Sequence, residues 1–145
     1  MSRLVLMLSG PNLNVLGERE PDVYGTSTLD EYVAAATRTA AAHSLELEHV
    51  QSNHEGELVD AVHAARGRAA AIVVNAAALT HYAWSLHDAL AAFEGPVVEV
   101  HISNPYAREP WRHTSVVAPV ASGTICGFGE LGYELALEAV ARLLA

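Results

Sequence analysis

The sequence predicts an α/β fold built on a mainly parallel sheet, and three observations carry that prediction. Apolar, β-rich runs alternate with segments of helical period from one end of the chain to the other. One run, "AAAIVVN" at 69–75, is apolar almost without interruption, as expected of a central strand covered on both faces. Neither a Pro/Ser-rich linker, a low-complexity tract nor an internal repeat breaks the alternation. Such a pattern belongs to parallel sheets joined by crossover helices. At 145 residues the chain can bury one good core but not two, so a single domain spanning 1–145 is expected.

In chain order, "RLVLML" (3–8) reads as the first strand rather than a leader, because no small-residue cleavage site follows it. Thr28-x-x-Glu31 has the spacing of a capping box and announces a helix from about Leu29 to His43. "LELEHV" (45–50) alternates strictly, as a strand with one wetter face does. Ser52-x-x-Glu55 repeats the capping signal before a helix ending near Gly67. The strand at 69–75 follows, and then Thr80 is expected to cap a helix from His81 to Phe93, which Gly95-Pro96 ends. "VVEVHI" (97–102) is the fourth strand. "SVVAPVA" (115–121) is expected to be the fifth, at an edge because it contains Pro119. Tyr133, Leu137, Val140 and Leu144 recur at helical spacing, with Glu138 and Arg142 paired on another face. Five strands and alternating helices are most economically arranged as a flavodoxin-like five-stranded parallel sheet, order 2-1-3-4-5, with helices on both faces; a Rossmann-type half domain is the alternative. In either, ligands collect beyond the carboxyl ends of the strands.

Eight basic residues against seventeen acidic ones give a net charge of -9, which opposes nucleic-acid or acidic-membrane partners. No apolar run approaches the roughly 18 residues that would span a bilayer. Every basic residue is arginine. A lysine Schiff base is thereby excluded, and arginines retained in an acidic background suit a small anionic ligand. The lone Cys126 has no internal disulfide partner and reads as a small buried side chain of a cytoplasmic protein; no metal-ligand cluster surrounds it in sequence.

Three strands end in polar chemistry: "SGPNLN" after the first, Asn75 after the third, and His101-Ile102-Ser103 after the fourth. Side chains along a strand repeat every two residues, so Glu99 and His101 share a face, and the carboxylate can hold one ring nitrogen while the other meets a ligand. Arg108 and Arg112, four apart, would share the face of a local helix and form an anion-binding wall. Taken singly, Asn75 could cap a strand end, His81 could meet only water, and Asp88, seven residues after His81 and so on about the same helix face, could form a surface ion pair. The stretch 9–27 shows no helical or strand period and is long for a connection, which marks it as a lid. It holds Arg19 and Tyr24, and guanidinium neighbours favour a phenolate, the form in which tyrosine acts as a base.

Together, "GPNLNVLGEREPDVYG", "QSNHEGEL", "NAAALTH" and "EVHISN" followed by two arginines closely resemble the type II 3-dehydroquinate dehydratases, small flavodoxin-like enzymes of the shikimate and quinate pathways. The resemblance covers essentially the whole chain. It implies an anti elimination of water from 3-dehydroquinate to 3-dehydroshikimate through an enolate, with no metal and no organic cofactor. Carried onto this chain, it makes Tyr24 the base at C2, supported by Arg19, with Arg108 helping to keep it deprotonated. Asn12 would steady the enolate oxygen, and His101, oriented by Glu99, would protonate the leaving hydroxyl. Ile102 and Ser103 would bind the substrate carboxylate, and Asn75, His81 and Arg112 its hydroxyls. Asp88 would reach a neighbouring subunit's site, implying a homo-oligomer of trimers assembled into a dodecamer. The chain departs from the family's usual pattern at Tyr82-Ala83, Trp84 and His87, in a pocket-lining or subunit-contact helix, and more mildly at Pro105-Tyr106 and Trp111. Two other readings stand beside this one. A flavodoxin-like binding module would need an acidic residue and a lysine at strand ends, or a phosphate loop for which "SGPNLNVLG" is a weak substitute. A diverged dehydratase would act on another cyclic hydroxy acid.

Overall fold

Because successive side chains on a strand point to opposite faces, an inner parallel strand feeds two cores at once. The computed structural model describes residues 3–145 and shows this division. Strands β1 (Arg3–Ser9), β2 (Leu45–Gln51), β3 (Ala71–Asn75), β4 (Val97–His101) and β5 (Gly123–Cys126) form one sheet in the order β2-β1-β3-β4-β5. All four pairings are parallel. Val5, Met7, Val73, Val98 and Val100 face one core, which α2 (Leu29–Ala42) and α5 (Leu131–Leu144) cover with Tyr32, Ala36, Tyr133 and Leu137. Leu6, Leu8, Ile72, Val74 and Val97 face the other, covered by α3 (Glu55–Ala65) and α4 (Trp84–Ala91) through Leu58, Val62, Leu86 and Leu90. The flavodoxin-like order and the helices on both faces are as the sequence predicts. Among the described residues, no helix is long and apolar enough to cross a membrane.

Local signals hold where hydrogen-bond chemistry is strictly local. The Thr28 hydroxyl accepts from the Glu31 amide at 3.3 Å and starts α2. Glu138 and Arg142 pair at 3.0 Å on the outer face of α5. Elsewhere the local signal lost to tertiary demand. Ser52 does not cap α3: its hydroxyl accepts from the His54 amide at 2.9 Å and donates to Glu57 at 2.7 Å, while Glu55 is taken by the Ser85 hydroxyl of α4. The third strand begins at Ala71, two residues later than expected. The fourth stops at His101, so Ile102 lies in the turn beyond it. The helix expected from His81 to Phe93 is a 3-10 turn, Ala77–His81, followed by α4; Thr80 caps nothing, and His81 does not share a helix face with Asp88. The fifth strand is not 115–121. Pro119 sits in a 3-10 turn, Ala118–Val120, where its missing N–H costs nothing, and the short "GTIC" segment forms the edge strand instead. Nor is 9–27 unstructured: it holds a 3-10 turn, Leu13–Val15, and a one-turn helix α1 (Pro21–Tyr24).

Gly10 marks the closest approach of two chain segments near the strand ends. Its amide donates to the Asn75 carbonyl at 2.8 Å, and a Cβ at this position would overlap the Ala76 carbonyl. Gly10→Ala should therefore lower stability by about 1–3 kcal/mol through overpacking, and displace the residues that follow β1 and β3. Chemical denaturation measures it; an unchanged midpoint would contradict the contact.

One half-buried base on β2 couples stability to pH. The His49 Nε2 lies 2.9 Å from the Ser9 hydroxyl. Burial holds its imidazole below the usual value, against an opposing pull from Asp30. Unfolded, this ring takes up a proton near pH 6.5 while the folded one still resists, so the unfolded state binds more protons just below that pH and stability falls as pH drops through the window. The expected result is a falling unfolding midpoint from about pH 7 to about pH 5, with a shallower slope in His49→Gln. Equal slopes would remove His49 from the cause.

Candidate active site

The sheet order places the carboxyl ends of β1, β3 and β4 side by side, with Ser9 opposite Asn75 in register. A cavity opens there. Its floor is Asn75, His101 and the Ile102-Ser103 turn, and its sides are Asn12, His81 and Arg112. The 9–27 segment contributes Arg19 and Tyr24 to its lining, and Arg108 reaches in from beyond β4. Ten of the residues singled out in sequence thus line one space.

At the acid end, the period of two along β4 puts Glu99 and His101 on the same face, as expected. Their contact is short, 2.6 Å between His101 Nε2 and Glu99 Oε2, and both residues are buried, at 8% and 1% exposure. Glu99 does not line the ligand cavity; it stands behind the ring and occupies Nε2, which leaves Nδ1 as the nitrogen free for a ligand. The Ser115 hydroxyl donates to the same carboxylate oxygen at 2.8 Å. Ser115 went unassigned in sequence because it fell in a stretch read as strand.

At the lid end, the Tyr24 hydroxyl receives Arg108 Nη1 at 2.7 Å and Arg19 Nη2 at 3.4 Å. Both guanidinium groups also lie over the ring, 4.4 Å (Arg19) and 5.1 Å (Arg108) from its centre. Arg108 is therefore the closer partner of the phenol, and it bonds the Ser103 hydroxyl at 3.1 Å as well. Two guanidinium groups thus converge on one phenol oxygen. Arg108 and Arg112 reach the cavity, but not from one helix face. Pro105 and Pro110 each start a separate 3-10 turn, Pro105–Ala107 and Pro110–His113, and these turns carry the two arginines inward. Arg112 is braced by Glu109 at 2.9 Å and by the Trp111 ring, 4.1 Å away.

The polar sides are oriented by distant residues. The Asn75 amide nitrogen donates to the Tyr133 hydroxyl at 2.9 Å and its carbonyl oxygen accepts from the Ala77 amide at 3.1 Å. Burial raises the Tyr133 pKa, so the phenol stays neutral and can accept this bond. His81 Nδ1 meets the Thr114 carbonyl at 2.7 Å, which only an N–H can do. Burial, more than the nearby His101 and Arg112 charges, holds His81 below its usual value, so the ring is neutral and offers Nε2 as an acceptor. Asn12 adopts a left-handed conformation, φ 70°, with its amide held by Asn53 at 3.0 Å. Asp88 is exposed and takes no part in this cavity. Neither do Tyr82, Ala83, Trp84 and His87, so these unusual residues lie outside the lining rather than within it. Tyr82 and Trp84 are each 61% exposed.

Comparison with known proteins places the chain in a family. The family model for dehydroquinase class II matches residues 3–141. The chain is 54% identical over 144 residues to 3-dehydroquinate dehydratase 2 of Pseudomonas putida, covering 99% of this chain and 97% of that one. It is 54% identical over 139 residues to 3-dehydroquinate dehydratase of Corynebacterium glutamicum, covering 96% of each. Among solved structures, the type II dehydroquinase from Propionibacterium acnes superposes with a TM-score of 0.94 at 43% identity, covering 98% of both chains. With a family match over nearly its full length and relatives above half identity, the chain belongs to the class II dehydroquinase family.

Proposed function

We propose that the protein is a 3-dehydroquinate dehydratase, a hydro-lyase that eliminates water to give 3-dehydroshikimate, with its whole length acting as one catalytic domain. The observation that carries the reading is a phenol held by two guanidinium groups and an imidazole backed by a buried carboxylate, both lining one cavity. As phenolate, Tyr24 takes the C2 proton beside the ketone, and the electron pair moves onto the carbonyl oxygen, where Asn12 steadies the enolate. The enolate then collapses, C1–C2 becomes a double bond, and the C1–O bond breaks. Imidazolium His101 gives its Nδ1 proton to the departing hydroxyl, which leaves as water. Before the next turnover Tyr24 loses its proton and His101 regains one.

Binding follows from the same walls. The substrate carboxylate meets the Ile102-Ser103 turn, and its hydroxyls meet Asn75, neutral His81 and Arg112. Subunits assemble as trimers within a dodecamer, with Asp88 facing a neighbouring copy; the exposed Tyr82 and Trp84 beside it suit such a contact. A cytoplasmic setting suits the unpaired Cys126. Purified protein should convert 3-dehydroquinate, in metal-free buffer, to a product with the near-ultraviolet absorbance of a conjugated enone. Folded protein that produces none would overturn the reading.

A further inference from the structure

Behind the wall carrying His101 lies a second, smaller cavity, whose lining includes Thr80, Glu99, Ser115, Thr124 and Cys126. Two polar atoms on that lining are buried and have no hydrogen-bond partner among the described residues: Thr80 Oγ1 and Glu99 Oε1. Thr80 and Glu99 are each 1% exposed. A buried carboxylate oxygen without a donor is costly, and Glu99 spends its other oxygen on both His101 and Ser115. Hydrogen bonds from one segment reach both residues. Val116 donates its amide to the Thr80 carbonyl at 2.8 Å, while the Ser115 hydroxyl oxygen accepts from the Val117 and Ala118 amides at 3.2 and 3.0 Å. The segment after the arginine turns is thereby tied to Thr80 on one side and to Glu99 on the other.

Other groups around this cavity do not supply the missing donor. His81 is turned to the Thr114 carbonyl, Arg112 to Glu109, and His113 to the Arg108 carbonyl. Tyr106 is two-thirds exposed, and Cys126 has its thiol pushed up by burial and by Glu99, so it stays neutral. Two orphaned polar atoms carried by residues that line one small cavity form the setting in which buried waters sit, each making two to four hydrogen bonds.

We propose that this cavity holds an ordered water that donates to Glu99 Oε1 and is anchored by Thr80 Oγ1, making Thr80 a positioning residue for the His101–Glu99 pair. The inference rests on the dehydratase reading for its catalytic consequence, but not for its structural one. A donor on Oε1 fixes the plane of the carboxylate and weakens Oε2 as a base, so the shared proton stays on His101 Nε2 and the ring keeps Nδ1 toward the ligand cavity.

Thr80→Val removes only the hydroxyl at nearly constant volume, and Thr80→Ser keeps it. Proton NMR of the ligand-free protein observes the proton in the short His101–Glu99 bond directly. In Thr80→Val its low-field resonance should move further downfield, because Oε2 becomes the stronger acceptor; in Thr80→Ser it should stay where wild type has it. Turnover of Thr80→Val should fall on the order of tenfold in kcat with KM nearly unchanged, the size of one hydrogen bond to a charged group. An unmoved resonance in Thr80→Val would overturn the proposal, whatever the dehydration assay gives. If that variant does not fold or the resonance is broadened away, a high-resolution crystal structure decides: a water within about 3.2 Å of both atoms supports the proposal, and a dry cavity overturns it.

Discussion

Tyr24→Phe should lower kcat by about 10²–10⁴-fold, the usual contribution of a positioned general base, while the folded chain and its affinity for product change little. The substitution removes one atom. A phenylalanine ring fills the same place, and the Arg19 and Arg108 planes keep their ring contacts at 4.4 and 5.1 Å. Arg108 retains Ser103, and Arg19 retains Glu20 at 3.1 Å, so neither guanidinium is left without a partner. What disappears is the oxygen that both arginines address and that accepts the proton. Steady-state kinetics with calorimetric product binding separates the two effects. Wild-type turnover in the Phe variant would take tyrosine out of its role.

His101→Ala should cost a similar factor of about 10²–10⁴ in kcat, and unlike the tyrosine change it should also destabilise the fold. Glu99 is 1% exposed and would lose its 2.6 Å hydrogen-bond partner, and stranding one member of a buried pair costs up to about 3–5 kcal/mol. His101→Asn separates the two losses: its amide can still donate to Glu99, so stability returns in part, but it supplies no acid, so kcat stays low. Thermal unfolding beside kinetics provides the comparison. An alanine variant as stable and as fast as wild type would refute both halves.

What could be read from sequence depended on whether the determining interaction is local. Glu99 and His101 were legible because a strand's period of two is indifferent to context. Asn75 was legible because a polar residue ending an apolar central strand falls at the rim where ligands gather. Tyr24 and Arg19 stood out as a candidate base and its cation in the long connection, but their role at C2 came from resemblance to a family, since the segment has no period and its two short helical turns are too brief to show one. The arginine wall was expected for a partly wrong reason: a spacing of four suggested one helix, whereas two proline-started turns bring Arg108 and Arg112 to the same space. Long-range partners were invisible. Tyr133 looked like one more core position on α5, although its hydroxyl orients Asn75, 58 residues away. Ser115 was hidden in a β-branched run mistaken for the edge strand, and Thr80 carried a cap signature while its hydroxyl lies buried, on a residue that lines the same small cavity as Glu99.

The two-sided arrangement is the centre of this account, and a crystal structure of the Tyr24→Phe variant soaked with 3-dehydroquinate tests it most directly. The predicted result is intact substrate with C2 facing the ring at position 24 and the C1 hydroxyl within hydrogen-bond reach of His101 Nδ1, about 2.6–3.2 Å. Substrate bound with its C1 hydroxyl turned away from His101, or with both groups on the same face of the ring, would contradict it.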